Sequence, residues 1–197
     1  MPGAAELGAE ALFDRYGVKL SSQSTSPKIL WLRKHEPEIW AKTHLLLGGA
    51  GYLVYRLTGE AVLDIYDAGA YAPLFDVQAC AWNPGMAGAV APLERLPRLT
   101  WTCDIAGRVT ADAAALTGLA AGTPVISGTA DAAAEAISAG LANPGDLMVM
   151  YGSSIFFILK TDRLYNSPQF WGTRFLEPNT YAVAGGMSTA GSLTRWF

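Results

Sequence analysis

An aspartate, Asp131, stands where a short apolar run gives way to an alanine-rich segment, in the stretch GTPVISGTADAAAEAISAG from Gly122 to Gly140. A carboxylate presented in this way can accept the proton of an alcohol nucleophile, which is the base role in phosphoryl transfer to a hydroxyl. Aspartate at a helix start is also a common N-cap, where its side chain accepts a backbone N–H. At the level of this residue alone, both interpretations stay open.

Two glycine-rich segments follow Asp131 and offer groups that bind anions. The first is Tyr151-Gly152-Ser153-Ser154, and the second runs from Ala184-Gly185-Gly186 to Gly191. Backbone N–H groups of a glycine turn can approach a phosphate closely, and serine hydroxyls add donors. Each turn taken alone is more often structural, but their order after Asp131 fits a phosphate site.

The elements that must position these residues are read from apolar patterning, caps and breakers. The first half of the chain is rich in predicted helices, and the second half alternates strands with glycine turns. The predicted helices cover a segment from Pro27 interrupted at Glu36-Pro37, residues 51–58 ending at Gly59, residues 111–118 capped by Thr110, and residues 132–139. The predicted strands include a buried one at residues 124–127 and another at residues 147–150.

Composition restricts the classes of partner. The chain has 197 residues, of which 51% are hydrophobic and 16% charged, which is enough to bury a substantial core. A net charge of −3 without a basic cluster argues against nucleic acid and anionic membranes and favours a small molecule. No apolar run is long enough to span a bilayer, and the N-terminus lacks the basic and apolar regions of a signal peptide. We therefore expect a cytoplasmic protein. Cys80 and Cys103 are predicted to be buried reduced thiols rather than parts of a disulfide or a metal site.

Further acidic and aromatic residues have two interpretations each. Asp64, Asp67 and Asp76 would serve as ligands for a sugar or metal, or would stabilise turns beside Gly69 and Pro73. Three tryptophans are predicted to belong to the core rather than to stack on a sugar: Trp31, Trp40 and Trp82.

Several of these segments resemble the FGGY carbohydrate kinases, the sugar-phosphorylating branch of the actin and hexokinase superfamily. The resemblance covers most of the chain from about Lys28 onward. The matching residues are Lys28-Ile29-Leu30-Trp31-Leu32, His35-Glu36-Pro37-Glu38, Tyr52-Leu53, Arg56-Leu57-Thr58-Gly59, Asp64, Leu74-Phe75-Asp76, Gly118-Leu119, Gly122-Thr123-Pro124-Val125, Tyr151-Gly152-Ser153-Ser154, and Gly185-Gly186 to Trp196-Phe197.

The resemblance implies an α/β fold of the ribonuclease-H-like type and ATP-dependent phosphorylation of a sugar hydroxyl. Asp131 then becomes the catalytic base, with MgATP as the phosphoryl donor and a small-molecule sugar as the substrate. The form Y-G-S-S-I-F-F is similar to xylulose-kinase-like members, so a pentulose such as xylulose is favoured. The residues implied to bind the nucleotide are Gly152, Ser153, Ser154, Gly185 and Gly186.

Other family features are not visible, namely an acidic-Gly-Thr turn before Lys28 and adenosine-binding turns after the W-F segment. We therefore expect an incomplete fold, with residues 1–142 as the later part of the first domain and 143–197 as the beginning of the second. Little or no kinase activity is expected from this polypeptide alone, because the metal and phosphate clamps must act together. Two alternatives stay open: a catalytically silent sugar- or nucleotide-binding module, and a structural piece. Unpaired sheet edges also make a homo-oligomer possible.

Overall fold

The computed structural model of the chain describes Gly8, residues 12–13 and residues 20–197. Its helices are α1 (Thr25–His35), α2 (Pro37–Lys42), α3 (Gly49–Thr58), α4 (Ile65–Ala68), α5 (Pro84–Ala87), α6 (Ala111–Thr117) and α7 (Asp131–Ser138). Its strands are β1 (Val62–Asp64), β2 (Phe75–Asp76), β3 (Ala81–Trp82), β4 (Arg98–Thr100), β5 (Ile105–Arg108), β6 (Pro124–Ile126), β7 (Leu147–Tyr151), β8 (Ile155–Thr161), β9 (Trp171–Arg174) and β10 (Tyr181–Met187).

Local signals in the sequence explain where the helices begin and end. α1 ends at His35 because the next helix starts at Pro37, and proline is tolerated only in the first turn. α3 ends at Gly59, whose φ of 82° favours glycine. α6 begins after Thr110, whose hydroxyl oxygen accepts a hydrogen bond from Ala113 N at 3.2 Å. These boundaries confirm the predicted helices to within two residues.

Strand pairing divides the chain into small sheets and one larger sheet. β1 and β4 pair in parallel, whereas β2 pairs with β3 and β5 with β6 in antiparallel fashion. The four strands β7, β8, β10 and β9 form one antiparallel sheet in that order. The prediction that residues 124–127 form a buried strand is half wrong. β6 forms there, but Ile126 is exposed because β6 pairs only with β5 and no further layer of the described residues covers it.

The first core packs α1, β1, α4 and the β2–β3 hairpin together. Its fully buried members include Leu63, Leu74 and Phe75. Trp40 and Trp82 pack against it as predicted, but Trp31 is exposed over 48% of its surface and stacks on His35 with ring centroids 5.1 Å apart. The prediction for Trp31 was wrong because α1 buries the face that carries Ser26 and Ile29.

The second core lies between the four-stranded sheet and α7. Ala133 and Ala136 of α7 are fully buried against sheet and loop residues, among them Ile158, Phe175 and Ala182. The helix that begins at Asp131 therefore packs on the sheet formed by residues 147–187, although it precedes residue 142. The division of the chain at residues 142 and 143 stays a prediction.

Side chains from the second sheet also contact the first core. Arg174 donates hydrogen bonds to the carbonyl oxygens of Val77 at 2.8 Å and Gln78 at 2.7 Å. Tyr66 of α4 packs edge-on against Phe175, with ring centroids 5.7 Å apart. The two cores are thus joined along α4 and β9.

Cys80 and Cys103 carry free thiols, as predicted, but the prediction that both are buried is wrong, because Cys80 is half-buried and Cys103 is exposed. Within the described ranges, none of the helices has the length and apolar character required to cross a bilayer.

Candidate active site

Asp131 is the first residue of α7, and its side chain is exposed. Its Oδ1 accepts a hydrogen bond from the backbone N–H of Ala132 at 2.7 Å. The N-cap position belongs to Ala130, whose methyl group supplies no capping oxygen, so the N-cap interpretation of Asp131 is wrong. Oδ2 accepts no hydrogen bond from the described residues. The carboxylate is therefore free to take a proton from a ligand.

The segment that delivers Asp131 is held by hydroxyl groups. Thr129 donates from Oγ1 to Asp64 Oδ2 at 3.1 Å, and Ser127 Oγ lies 2.6 Å from Thr100 Oγ1. Gly128 between them has a φ of 71°, a conformation that costs little for glycine. These contacts fix the turn between β6 and α7, and with it the position of Asp131.

Asp64 is a buried structural carboxylate. It is the N-cap of α4 and accepts hydrogen bonds from the N–H groups of Tyr66 and Asp67, and from the hydroxyls of Thr102 and Thr129. Burial raises the pKa of its carboxyl group above the usual value, although these donors act in the opposite direction. Of the two interpretations left open for Asp64, the structure supports turn stabilisation.

A cavity of about 270 Å³ opens beside Asp131, between α4 and the four-stranded sheet. Ala130, the residue before Asp131, is part of its wall. Aromatic side chains form much of the wall, and acidic, hydroxyl and amide groups interrupt it. The wall residues used below are Gln23, Ser24, Tyr66, Asp67, Phe156, Phe170, Trp171 and Thr173. A largely apolar cavity with a few polar groups is the usual form of a small-molecule site.

Asp67 is the charged residue of that wall, and it is half-buried. Burial raises the pKa of its carboxyl group to about 6, and the negative charges of Asp64 and Asp131 add to the effect. Burial, with help from nearby carboxylates, also raises the pKa of Tyr66 to about 12 and that of Tyr71 to about 12. The phenols therefore stay neutral, and the cavity carries excess negative charge at neutral pH.

Asp76 lies outside the cavity wall and stabilises a turn. Its Oδ1 accepts hydrogen bonds from the N–H groups of Gln78 and Ala79, both at 2.9 Å. No group of three or more His, Cys, Asp or Glu residues able to hold a metal occurs in the part of the chain that the structure describes.

The predicted phosphate turn, Gly152 to Ser154, forms the reversal between β7 and β8. Gly152 N donates to Ser154 O at 2.8 Å, and Gly191 N donates to Gly152 O at 2.9 Å. The backbone N–H groups and hydroxyls of Ser153 and Ser154 donate to no group within the described ranges. They are available to an anion, but these three residues do not belong to the wall of the cavity beside Asp131.

Gly185 and Gly186 lie within β10, not in a turn. A Cβ at Gly185 would stand 2.8 Å from the ring of Phe157 and 2.9 Å from that of Phe170, so only glycine fits there. Both glycines border a second cavity of about 220 Å³, next to Phe170 and Trp171. Packing explains these glycines, and their contact with a nucleotide stays a prediction.

Sequence reasoning missed most of the cavity wall. Phe156 is the second residue after the Gly152 to Ser154 turn, a position that a search for ligand contacts could have included. Thr173 gave no signal at all, yet its Oγ1 is buried without a hydrogen-bond partner and lies against Gly69. Asp67 was considered, but nothing in its neighbourhood indicated that it would line a cavity.

A family model and the sequences of known proteins both relate this chain to carbohydrate kinases. Residues 4–138 match the N-terminal domain of the FGGY family of carbohydrate kinases. The ribulokinase of Mycolicibacterium smegmatis is 31% identical over 201 residues, which cover 95% of this chain and 35% of that protein. The xylulose kinase of Escherichia coli K12 is 29% identical over 175 residues, or 87% of this chain and 36% of that protein.

The solved structures agree. The crystal structure of xylulose kinase from Rhodospirillum rubrum superposes with a TM-score of 0.90 at 31% identity, covering 99% of this chain and 41% of that one. The expected α/β, ribonuclease-H-like sugar kinase fold is thereby confirmed. The chain spans about a third of the length of the curated relatives it matches. On the matched residues and the shared fold, the chain belongs to the FGGY family of carbohydrate kinases.

Proposed function

We propose that this chain contributes the base and the sugar-facing wall to the active site of an ATP-dependent carbohydrate kinase. The observation that carries the proposal is the exposed carboxylate of Asp131, the residue that directly follows Ala130 in the wall of a cavity of about 270 Å³. Asp131 takes the proton of the sugar hydroxyl as that oxygen attacks phosphorus, which general bases promote by about 10²–10⁴-fold.

A general base is most effective when its accepting oxygen is held in one position relative to the hydroxyl that it deprotonates. The hydrogen bond from Ala132 N holds Oδ1 of Asp131, and Oδ2 is left to face the hydroxyl. The hydroxyl of Thr129 anchors the preceding turn to Asp64. Asp131 therefore needs little reorganisation before reaction, which is how a preorganised site lowers the barrier.

MgATP is the proposed phosphoryl donor, and it supplies the electrophilic γ-phosphorus. The turn from Gly152 to Ser154 fits phosphate oxygens, because the N–H groups and hydroxyls of Ser153 and Ser154 have no acceptor among the described residues. Gly185 and Gly186 belong to this proposal through the second cavity that they border. A kinase that draws on ATP fits the cytoplasm as the proposed location.

The proposed substrate is a pentulose such as xylulose. Support comes from the named relatives, a ribulokinase and a xylulose kinase, and from the combination of aromatic rings and polar groups in the cavity wall. Aromatic faces cover the C–H surfaces of a sugar, and the polar groups bind its hydroxyls.

The test is sugar-dependent formation of ADP from MgATP with xylulose, ribulose, xylitol and glycerol, measured for the chain and for Asp131→Asn. We expect turnover with a pentulose, however slow, to fall at least about 100-fold in the variant because the base is lost. Asp112→Asn removes an equally exposed carboxylate from the first turn of α6 and should leave turnover unchanged.

Measurable turnover that is equal in Asp131→Asn and in the unaltered chain would contradict the role of Asp131. Binding of a sugar without any ADP formation would instead favour a silent binding module.

A further inference from the structure

The cavity beside Asp131 contains a carboxylate whose hydrogen-bonding capacity is unused. The backbone N–H of Asp67 donates a hydrogen bond to the side chain of Asp64. The side-chain oxygens of Asp67 accept no hydrogen bond from the described residues. A Cβ added to Gly48 would lie 2.9 Å from Asp67 Oδ2, so the carboxylate is packed closely against backbone on that side. Its exposed part lies in the cavity wall.

Such a carboxylate is costly to the folded protein. A half-buried acceptor without a protein donor loses part of its hydration and receives no hydrogen bond from the protein in return. The charges that act on Asp67 are negative, from Asp64 on β1 and Asp131 on α7. The phenol groups of Tyr66 on α4 and Tyr71 in the following turn also feel its charge, and their high pKa values keep them neutral.

Within the described residues no group supplies these donors, so they come from solvent water or from a polar molecule that occupies the cavity. The walls beside Asp67 are the rings of Tyr66, Phe156, Phe170 and Trp171. Asp64, the nearest other acid on its own side, is already saturated by four donors and does not help Asp67 to hold a cation. A polyol satisfies both features, because its hydroxyls donate to the carboxylate and its C–H surface covers the rings.

We propose that Asp67 is a specificity-determining residue that accepts hydrogen bonds from sugar hydroxyls other than the one that Asp131 deprotonates. This inference rests on the proposed sugar kinase function. Asp67 acts on binding and on the choice of polyol, whereas Asp131 acts on the chemical step. The two carboxylates thus divide the recognition and the activation of one substrate between them.

Proton competition follows from this arrangement. A hydroxyl donates well to the ionised carboxylate, and the pKa of Asp67 is raised to about 6, so sugar and proton compete for the same oxygens. The dissociation constant should therefore rise about tenfold between pH 7 and pH 5, since protonation of one group with that pKa removes about nine-tenths of the binding form.

The test is isothermal titration calorimetry with xylulose, ribulose, xylitol and glycerol from pH 5 to pH 8. In Asp67→Asn, which keeps the shape of the side chain, we expect at least about tenfold weaker binding of the five-carbon polyols at pH 7. Glycerol should lose less affinity, because it fills less of the cavity. The pH dependence below pH 7 should disappear. Asp76→Asn, a matched change outside the cavity, should leave both affinity and pH profile unchanged.

The outcomes separate this inference from the proposed function. If Asp67→Asn binds all four polyols as the unaltered chain does, with the same pH profile, Asp67 has no such role and the kinase proposal is untouched. Tight, Asp67-dependent binding together with turnover that is indifferent to Asp131→Asn would overturn the catalytic proposal and keep this inference. If none of the polyols binds the unaltered chain at any pH, both are wrong.

Discussion

Three aspartates near α4 and α7 show how position assigns different properties to the same side chain. Asp64 is buried and satisfied by four donors, so it stabilises structure. Asp67 is half-buried in the cavity wall without donors. Asp131 is exposed at a helix start with one oxygen free. Burial and the number of hydrogen-bond donors therefore distinguish three carboxylates that look alike in the sequence.

The cost of keeping Asp67 ionised can be measured as stability. Its pKa is raised from 3.8 to about 6 on folding, so the folded state binds the proton more tightly and stability falls as pH rises between those values. Asp67→Asn should therefore raise the free energy of unfolding at pH 8 by about 1–2 kcal/mol, after allowance for partial exposure to solvent.

Urea denaturation at pH 3.5 and at pH 8 checks this expectation. At pH 3.5 most of the gain should be lost, because Asp67 is then neutral in the folded state and largely neutral in the unfolded state, whose pKa is 3.8. A gain of the same size at both pH values would show that the effect comes from packing and not from charge.

At this scale the sequence singled out Asp131 as a candidate, and its catalytic role stays a prediction, whereas nothing in the sequence indicated that Asp67 lines a cavity. Asp131 could be found because its surroundings are local, a strand, a turn and a helix in direct succession. The environment of Asp67 is made by residues distant in the chain, among them Phe156, Trp171 and Thr173. Such long-range contacts leave no local pattern.

Among the elements, the turn from Gly152 to Ser154 depends on a second turn for its shape. A Cβ at Gly191 would lie 2.3 Å from Gly152 O, and Gly191 N donates to that same oxygen. The two turns are therefore in backbone contact, and the proposed phosphate site is built on both of them.

We expect Gly191→Ala to destabilise the chain by about 1–3 kcal/mol, the usual range for forcing an atom into a close-packed site. The amide NMR signals of Gly152, Ser153 and Ser154 should shift, which would locate the strain. Gly88→Ala is the control, because no atom lies within 4 Å of its added Cβ and its φ is −63°.

If Gly191→Ala is as stable as the unaltered chain and the signals of the Gly152 turn stay in place, the contact between the two turns is not tight. The proposed phosphate turn would then stand by itself.

Helix ends were predictable and burial was not. Gly59 and Gly118 end their helices with φ values of 82° and 79°, a conformation that glycine adopts readily. This preference is a property of the residue itself and can be read from the sequence. The exposure of Ile126 depends instead on which layers pack on β6. Likewise, Ala133 and Ala136 form an apolar helix face that would suit either core, so the sequence did not show that α7 packs on the second sheet.

In the whole molecule, β7 is an edge of the four-stranded sheet, because it pairs only with β8. One face of β7 is exposed along its length, with Leu147 at 56%, Val149 at 50% and Tyr151 at 68%, and Met150 on the other face is exposed at 41%. An edge strand with exposed apolar side chains favours pairing with another chain. We expect the chain to self-associate through β7 as its concentration rises.

Val149→Lys should reduce this association, since a lysine on an edge strand opposes pairing. Sedimentation velocity over a range of concentrations measures the effect. Leu116→Lys places the same charge on α6, at a leucine exposed over 78% of its surface, and should not change the association. Equal reduction by both changes would indicate a general effect of charge and not pairing at the β7 edge.

The packing of α7 on the second sheet has a consequence for motion. Asp131 begins the helix that packs on that sheet, whereas Asp67 lies on α4, which packs in the first core. A hinge movement that parted the two cores would separate these negative charges and lower the pKa of Asp67, and closure would reverse the change. Near pH 6, closure of the cleft would therefore be accompanied by uptake of a fraction of a proton. Calorimetric titration of a ligand in buffers of different ionisation enthalpy would detect this uptake as a difference in the observed binding enthalpy.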